Sequence, residues 1–180
     1  MFPLRDDNPT TIIPFITWAL IAVNVAVFLY QFSLGPPLSQ LFAYKYGLVP
    51  AVVVGTGSLP GNVGAVAPAG SLLTSMFLHG GWMHLIGNMW FLWIFGNNIE
   101  EAMGRLRYLV FYLLCGFMAS VSHILSNSGS MLPSIGASGA ISGVLGAYIL
   151  LYPRAKVLTL IFIVFFVRLL YIPAGFFLGI

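Results

Sequence analysis

Ser138 stands between Ala137 and Gly139 in the stretch SIGASGAISGVLGAY, at the head of an otherwise apolar run. His84 and Asn88 lie upstream in HGGWMHLIGNMW, spaced i and i+4, so on a helix they share one face. A serine at a helix start sits at the positive end of the helix dipole, beside backbone N–H groups that lack intrahelical partners. Those are the parts acyl transfer uses to hold a developing oxyanion, and His84 and Asn88 would add side-chain donors. The same residues also permit a plainer reading. Gly139 with Gly143, and Ser142 with Gly146, are small-xxx-small pairs of the kind that pack membrane helices closely. A histidine near a helix end is commonly interfacial, and an asparagine within a span commonly bonds a neighbouring helix.

The rest of the chain sets the depth of these residues. Apolar residues make up 59% of the 180 residues and charged residues 6%, so no polar shell could cover a water-soluble globule. The apolar runs come in blocks long enough to cross a hydrocarbon core about 30 Å thick. The expectation is a single all-α, multi-pass membrane domain over residues 1–180, with five spans at about 12–32, 82–101, 106–126, 135–152 and 157–179. The first reads as an anchor and not a removable leader. The connection 34–80, rich in proline and glycine, is expected to be functional or partly membrane-embedded. Arg5, Arg105, Arg107, Arg154 and Lys156 fall on one side of this arrangement and only Lys45 on the other, which puts the N-terminus in the cytoplasm and the 34–80 loop outside.

In that orientation the second and fourth spans both enter from outside. Ser138, His84 and Asn88 then lie within about 5–10 Å of one depth. Three polar groups at one depth in a bilayer suggest a shared polar cavity, because each alone is costly there. His123 falls at a similar depth, near the outer end of the third span, either as a weak base for Ser138 or as an interfacial histidine. His79, just outside the second span, either holds water near the cavity or is interfacial. Arg168 is expected to face the bundle or a hydrated interior unless the fifth span is shifted and it snorkels. Pro173 is expected to bend or end that span. The formal charge of +3 is spread over several loops, and no nucleic-acid partner is expected. Cys115 is the lone cysteine, which excludes an intrachain disulfide and a cysteine-rich zinc site.

The stretches HGGWMHLIGNMWFLWIFGNNIE (79–100) and GASGAISGVLGAY (136–148), with YPRAKV (152–157) and IPA (172–174), resemble the rhomboid intramembrane serine proteases. That resemblance implies a rhomboid helical bundle that hydrolyses a peptide bond in the transmembrane segment of a membrane-protein substrate. It implies Ser138 as nucleophile and His84 and Asn88 as oxyanion-stabilising side chains. Gly136 would be the glycine that admits substrate backbone, with Gly139 following the nucleophile and Glu100 a structural acid. No metal or cofactor is implied. The expected partners are transmembrane substrates and membrane lipid, and the expected location is the bacterial plasma membrane; the oligomeric state is not given by these residues.

The sequence departs from the family pattern twice. Residues 34–80 contain no Trp-Arg pair. The family's base histidine sits on a sixth helix, and none of His79, His84 and His123 matches it, so the expectation is a C-terminally truncated chain. Two other readings follow from this: a catalytically inactive rhomboid-like protein that binds transmembrane helices, and, on weaker grounds, a small-solute transporter.

Overall fold

The computed structural model describes residues 1–59, 66–163 and 166–179. A short strand, β1 (Phe2–Asp6), precedes the first long helix, α1 (Phe15–Ser33). The 34–80 connection is folded into short helices: α2 (Pro36–Tyr46), α3 (Pro50–Val53), α4 (Pro68–Thr74) and a 3₁₀ turn at Ser75–Phe77. Proline occupies the first turn of α2, α3 and α4, where its missing N–H costs nothing and its fixed φ favours the helix.

Then come α5 (Trp82–Met103), α6 (Arg105–Ser126) and α7 (Ser138–Leu151), followed by β2 (Lys156–Ile163), β3 (Phe166–Pro173) and a terminal turn of helix, α8 (Ala174–Gly179). Gly104 alone separates α5 from α6. Its φ of 80° is the left-handed conformation glycine adopts without strain, so two antiparallel helices join through one residue.

Four of the five expected spans are helices, within a few residues of their expected ends. α1 and α6 are long and apolar enough to cross a membrane, and α7 is a shorter apolar helix. Large apolar side chains such as Leu29, Ile86, Trp93, Leu114, Met118 and Leu150 point outward from these helices. Exposed apolar surface on that scale suits hydrocarbon as its solvent. The core between the helices is aromatic: Phe95, Tyr108, Tyr112 and Tyr148 are fully buried together with Leu92 and Ile99.

The fifth expected span is corrected. Over 156–163 and 166–173, β2 and β3 pair antiparallel, and β1 adds antiparallel to β2, giving a three-stranded sheet in the order β1-β2-β3. The architecture is therefore mostly helical and not all-α. The run is as rich in Val, Ile, Phe, Thr and Tyr as a strand, and a continuous apolar run has no periodicity to separate strand from helix. An open-edged hairpin would leave backbone groups unsatisfied in hydrocarbon, so in this conformation it is no transmembrane element. Arg168, expected within a helix, sits on edge strand β3 opposite Ile161 and is exposed to solvent. Pro173 ends β3 instead of bending a helix.

The N-terminal head is fastened to the end of α5 by the GNNIEE stretch, residues 96–101. Asn98 donates from Nδ2 to the Asp6 carboxylate (2.8 Å) and accepts from Asn8 (2.6 Å). Asn97 donates to Thr10, and Glu101 accepts from Thr11. The Tyr148 hydroxyl donates to the same Asp6 oxygen at 2.7 Å, tying the head to α7 as well. Burial raises the Asp6 carboxyl above its ordinary range, against the lowering effect of those donors.

Glu100 is fully buried and closes the arrangement. One carboxylate oxygen accepts from the Ile16 N–H (2.9 Å), the other from the Thr17 N–H and hydroxyl (both 2.8 Å). The start of α1 has no side-chain cap of its own, since Pro14 occupies that position. Glu100 thus caps α1 from another helix, with its charge at the positive end of the α1 dipole.

Candidate functional site

The loop before α7 is held from two directions. Leu48 and Ser134 exchange backbone hydrogen bonds (3.0 and 2.7 Å), and the Ala51 N–H donates to Ser130 O at 3.0 Å. The Gly136 N–H donates to Ser75 O at 2.9 Å, fixing the loop to the 3₁₀ turn. The 34–80 connection therefore positions the serine loop directly. Gly136 has φ = 127°, a conformation that side-chain-bearing residues rarely adopt. A Cβ there would lie 2.7 Å from Cε1 and Nε2 of His84 and 3.7 Å from Nδ2 of Asn88. The absence of that carbon is what lets the loop press against both side chains.

Ser138 opens α7, and the first intrahelical bond runs from the Ile141 N–H to Ala137 O. The N–H groups of Ser138, Gly139 and Ala140 thus lie at the helix start, ahead of the hydrogen-bonded ladder. Ser138 is exposed, whereas Gly139 packs on Ala119 and Gly143 on Cys115, both across the α6–α7 contact. The small-residue stripe and the serine therefore serve different faces of α7. Gly139 and Gly143 do the packing; a methyl added to Gly146 would meet nothing within 4 Å, and Ser142 bonds back to Ser138 O at 2.8 Å.

Two cavities meet at Ser138. One, between α5 and α7, is lined by His84, Asn88, Ser138 and Ser142 among others. The other, between α6, α7 and the 3₁₀ turn, has a volume of about 190 Å³ and includes His123, Ser120, Ser75 and Ser134 with Ser138. In the first, Nδ1 of His84 accepts the Gly80 N–H at 3.4 Å, and the Cε1–Nε2 edge of the ring faces Gly136. Asn88 Nδ2 is buried and makes no hydrogen bond among the described residues. A buried donor without a partner among the described residues, beside a serine at a helix start, can bond an incoming acceptor. The described residues contain no group of three or more His, Cys, Asp or Glu that could hold a metal.

His79 is fully buried and lines neither cavity at Ser138, so it does not hold water there, and its ring packs edge-on against His84 at 5.1 Å between centroids. Burial, with the adjacent His84 ring as the next cause, pushes the His79 imidazole down to about 4. Gln31 of α1 brackets it, donating to His79 O at 3.1 Å and accepting the His79 N–H at 3.4 Å. His79 and Gln31 buttress His84, a role that sequence reasoning missed. The signal for Gln31 was a polar residue at the end of an apolar span.

The low value for His79 fixes the sign of an acid effect. Between pH 6.5 and about 4 the unfolded chain takes up a proton that the folded chain refuses, so stability falls as pH drops through that window. Thermal unfolding in mild detergent should lose more between pH 7 and 5 in the wild type than in His79→Asn. Equal slopes would reject the linkage.

The Rhomboid domain family model matches residues 69–180, more than half of the chain. The chain belongs to the rhomboid family. Among known rhomboids, Rhomboid protein 1, mitochondrial, of Saccharomyces cerevisiae is 32% identical over 152 residues, covering 82% of this chain and 39% of its own length. The Rhomboid protease GluP of Bacillus subtilis is 43% identical over 76 residues, 42% of this chain and 14% of its own. Presenilin-associated rhomboid-like protein A, mitochondrial, of Danio rerio is 37% identical over 87 residues, 47% of this chain and 23% of its own. The chain thus spans less than two fifths of the length of these relatives. Rhomboids are integral membrane proteins, in keeping with the apolar helices of this chain. Of the residues singled out in the rhomboid motifs, the fold gathers Ser138, Gly136, His84 and Asn88 into one place. Gly139 faces α6, and Glu100 lies at the opposite end of α5.

Proposed function

We propose that the chain is an intramembrane serine endopeptidase acting on the transmembrane segments of membrane-protein substrates. The observation that carries this reading is the approach of Gly136 to His84 and the unpartnered Asn88 amide, beside Ser138 at a helix start. In this reading Ser138 Oγ attacks the scissile carbonyl carbon. The resulting oxyanion accepts hydrogen bonds from the Ser138 N–H, His84 Nε2 and Asn88 Nδ2. Gly136 leaves room for the substrate backbone, and Gly139 keeps the start of α7 close to α6.

The proposed orientation has the N-terminus in the cytoplasm. Its support is that β1, paired to β2, brings Arg5 and Lys156 to one end, where Arg105 also reaches Ile13 O. The relatives include mitochondrial proteins as well as a bacterial one, so they support membrane integration and not the bacterial plasma membrane in particular.

A fluorophosphonate that labels activated serines tests the reading without a known substrate. Labelling should vanish in Ser138→Ala and fall about 10²–10³-fold in Asn88→Ala, the usual cost of one oxyanion donor. A second reading is a rhomboid-like protein that binds transmembrane helices without cutting them. It is favoured by Ser138 Oγ making no hydrogen bond to a histidine among the described residues. Absence of Ser138-dependent labelling, with retained binding of a transmembrane peptide, would select it.

A further inference from the structure

We infer that the groove between the N-terminal head and the turn after α7 binds the headgroup of a phospholipid that carries a phosphate and a primary ammonium. The inference is independent of the endopeptidase reading, because the groove lies at the opposite end of α7 from Ser138.

The groove has a volume of about 460 Å³ and is lined by Asp7, Asn8, Leu151, Tyr152 and Arg154 among others. That is within the range of small-molecule sites, roughly 300–1,000 Å³. Hydrogen bonds fix its walls and leave its two charges uncommitted. The Asp7 N–H donates to Lys156 O at 2.9 Å, and Asp7 Oδ1 accepts the Lys156 N–H at 2.7 Å. Asn8 donates to the Asn98 side chain, and the Tyr152 hydroxyl donates to Asn98 O at 3.2 Å, so head and turn are both anchored on α5. The second Asp7 oxygen accepts no hydrogen bond among the described residues. Nor does the Arg154 guanidinium make a hydrogen bond or an ion pair among them. Two opposite charges thus share one groove without pairing, and a ligand bearing both charges would satisfy both.

The position of the groove selects a lipid. Leu150 and Leu151, in the last turn of α7, are 82% and 49% exposed, and the exposed Arg154 and Lys156 follow within five residues. Apolar surface giving way to charge over that distance marks the level of lipid headgroups. The planar guanidinium presents parallel donors that match a phosphate, and the free Asp7 oxygen accepts an ammonium N–H. The acyl chains then run past Leu151 along the apolar face of α7. Asp7 and Arg154 cancel in charge, so the groove has no net attraction for an anionic headgroup. A quaternary ammonium has no N–H for Asp7, and a free phosphate would use Arg154 alone.

Native mass spectrometry of the full chain from mild detergent tests this, with phosphatidylethanolamine, phosphatidylglycerol and phosphatidylcholine as probes and inorganic phosphate as competitor. Phosphatidylethanolamine should fill one saturable site at least about tenfold more tightly than the other two lipids, the worth of one charge-assisted hydrogen bond. Arg154→Ala should weaken it by a similar factor. Asp7→Asn keeps an oxygen for the Lys156 N–H and should remove the preference among the three lipids. Arg107→Ala, at the start of α6 and outside the groove, should change nothing. Equal affinity for the three lipids, or equal losses in Arg107→Ala and Arg154→Ala, would mean diffuse attraction to a basic surface and overturn the proposal. An unchanged preference in Asp7→Asn would overturn it as well, and so would displacement of the lipid by inorganic phosphate, which would make the groove a simple anion site.

Discussion

Glu100→Ala should lower the unfolding free energy by about 3 kcal/mol, read as a fall in thermal midpoint in mild detergent. The substitution strips partners from the Ile16 and Thr17 N–H groups and the Thr17 hydroxyl, all at the start of a helix with no cap of its own. Removing a buried charge recovers part of its desolvation cost, which keeps the loss below the sum of three orphaned donors. Glu100→Gln should fall between the wild type and alanine. Its amide oxygen can still accept, while its NH₂ group meets a backbone N–H that needs an acceptor. Glu101→Ala should be much milder, although Glu101 also holds the head, because its bonds to Thr11 lie at the solvated rim. Equal losses at positions 100 and 101 would show that attachment of the head, and not capping of α1, is what matters.

Gly136→Ala is expected to cost about 1–3 kcal/mol and to reduce Ser138 labelling by at least about a hundredfold. Two causes act together. The residue would be held at φ = 127°, and its methyl would press into the His84 ring at 2.7 Å. The Gly136 N–H is bonded to Ser75 O, so the loop cannot move away without losing that tie. Adding His84→Ala to Gly136→Ala should recover part of the stability, since the clash disappears, and none of the labelling. That non-additivity is the signature of direct contact. Gly146→Ala, on the same helix with open space around it, should leave labelling unchanged and helix stability slightly improved.

Much of this arrangement was legible in the sequence. The i, i+4 spacing of His84 and Asn88 put both on one face of a helix that formed where expected, and the serine stretch gave the start of α7. Gly139 and Gly143 packed as small-residue pairs do, while Ser138 did not. The hairpin was illegible for a definite reason: residues 157–173 are apolar almost throughout, and their pairing partner, β1, lies at the other end of the chain. No local pattern announces a contact between Phe2 and Leu160. The part of GNNIEE played against the head was hidden in the same way, except at Glu100. His79 and Gln31 were obscured because burial, not residue type, sets their behaviour.

The pairing of β1 with β2 also has a consequence in time. Phe2 meets Leu160 and Asp6 meets Val157, so β1 has no partner until β2, far along the sequence, has been made. Asn98, Glu100 and Glu101, by contrast, emerge earlier and can hold Asn8, Thr11 and Thr17 as soon as α5 exists. Assembly of the head is therefore staged: α5 first catches the residues leading into α1, and the strand closes last. Its closure joins Phe2 to Leu160 across the whole helical bundle, a contact between residues far apart in sequence and therefore slow to find.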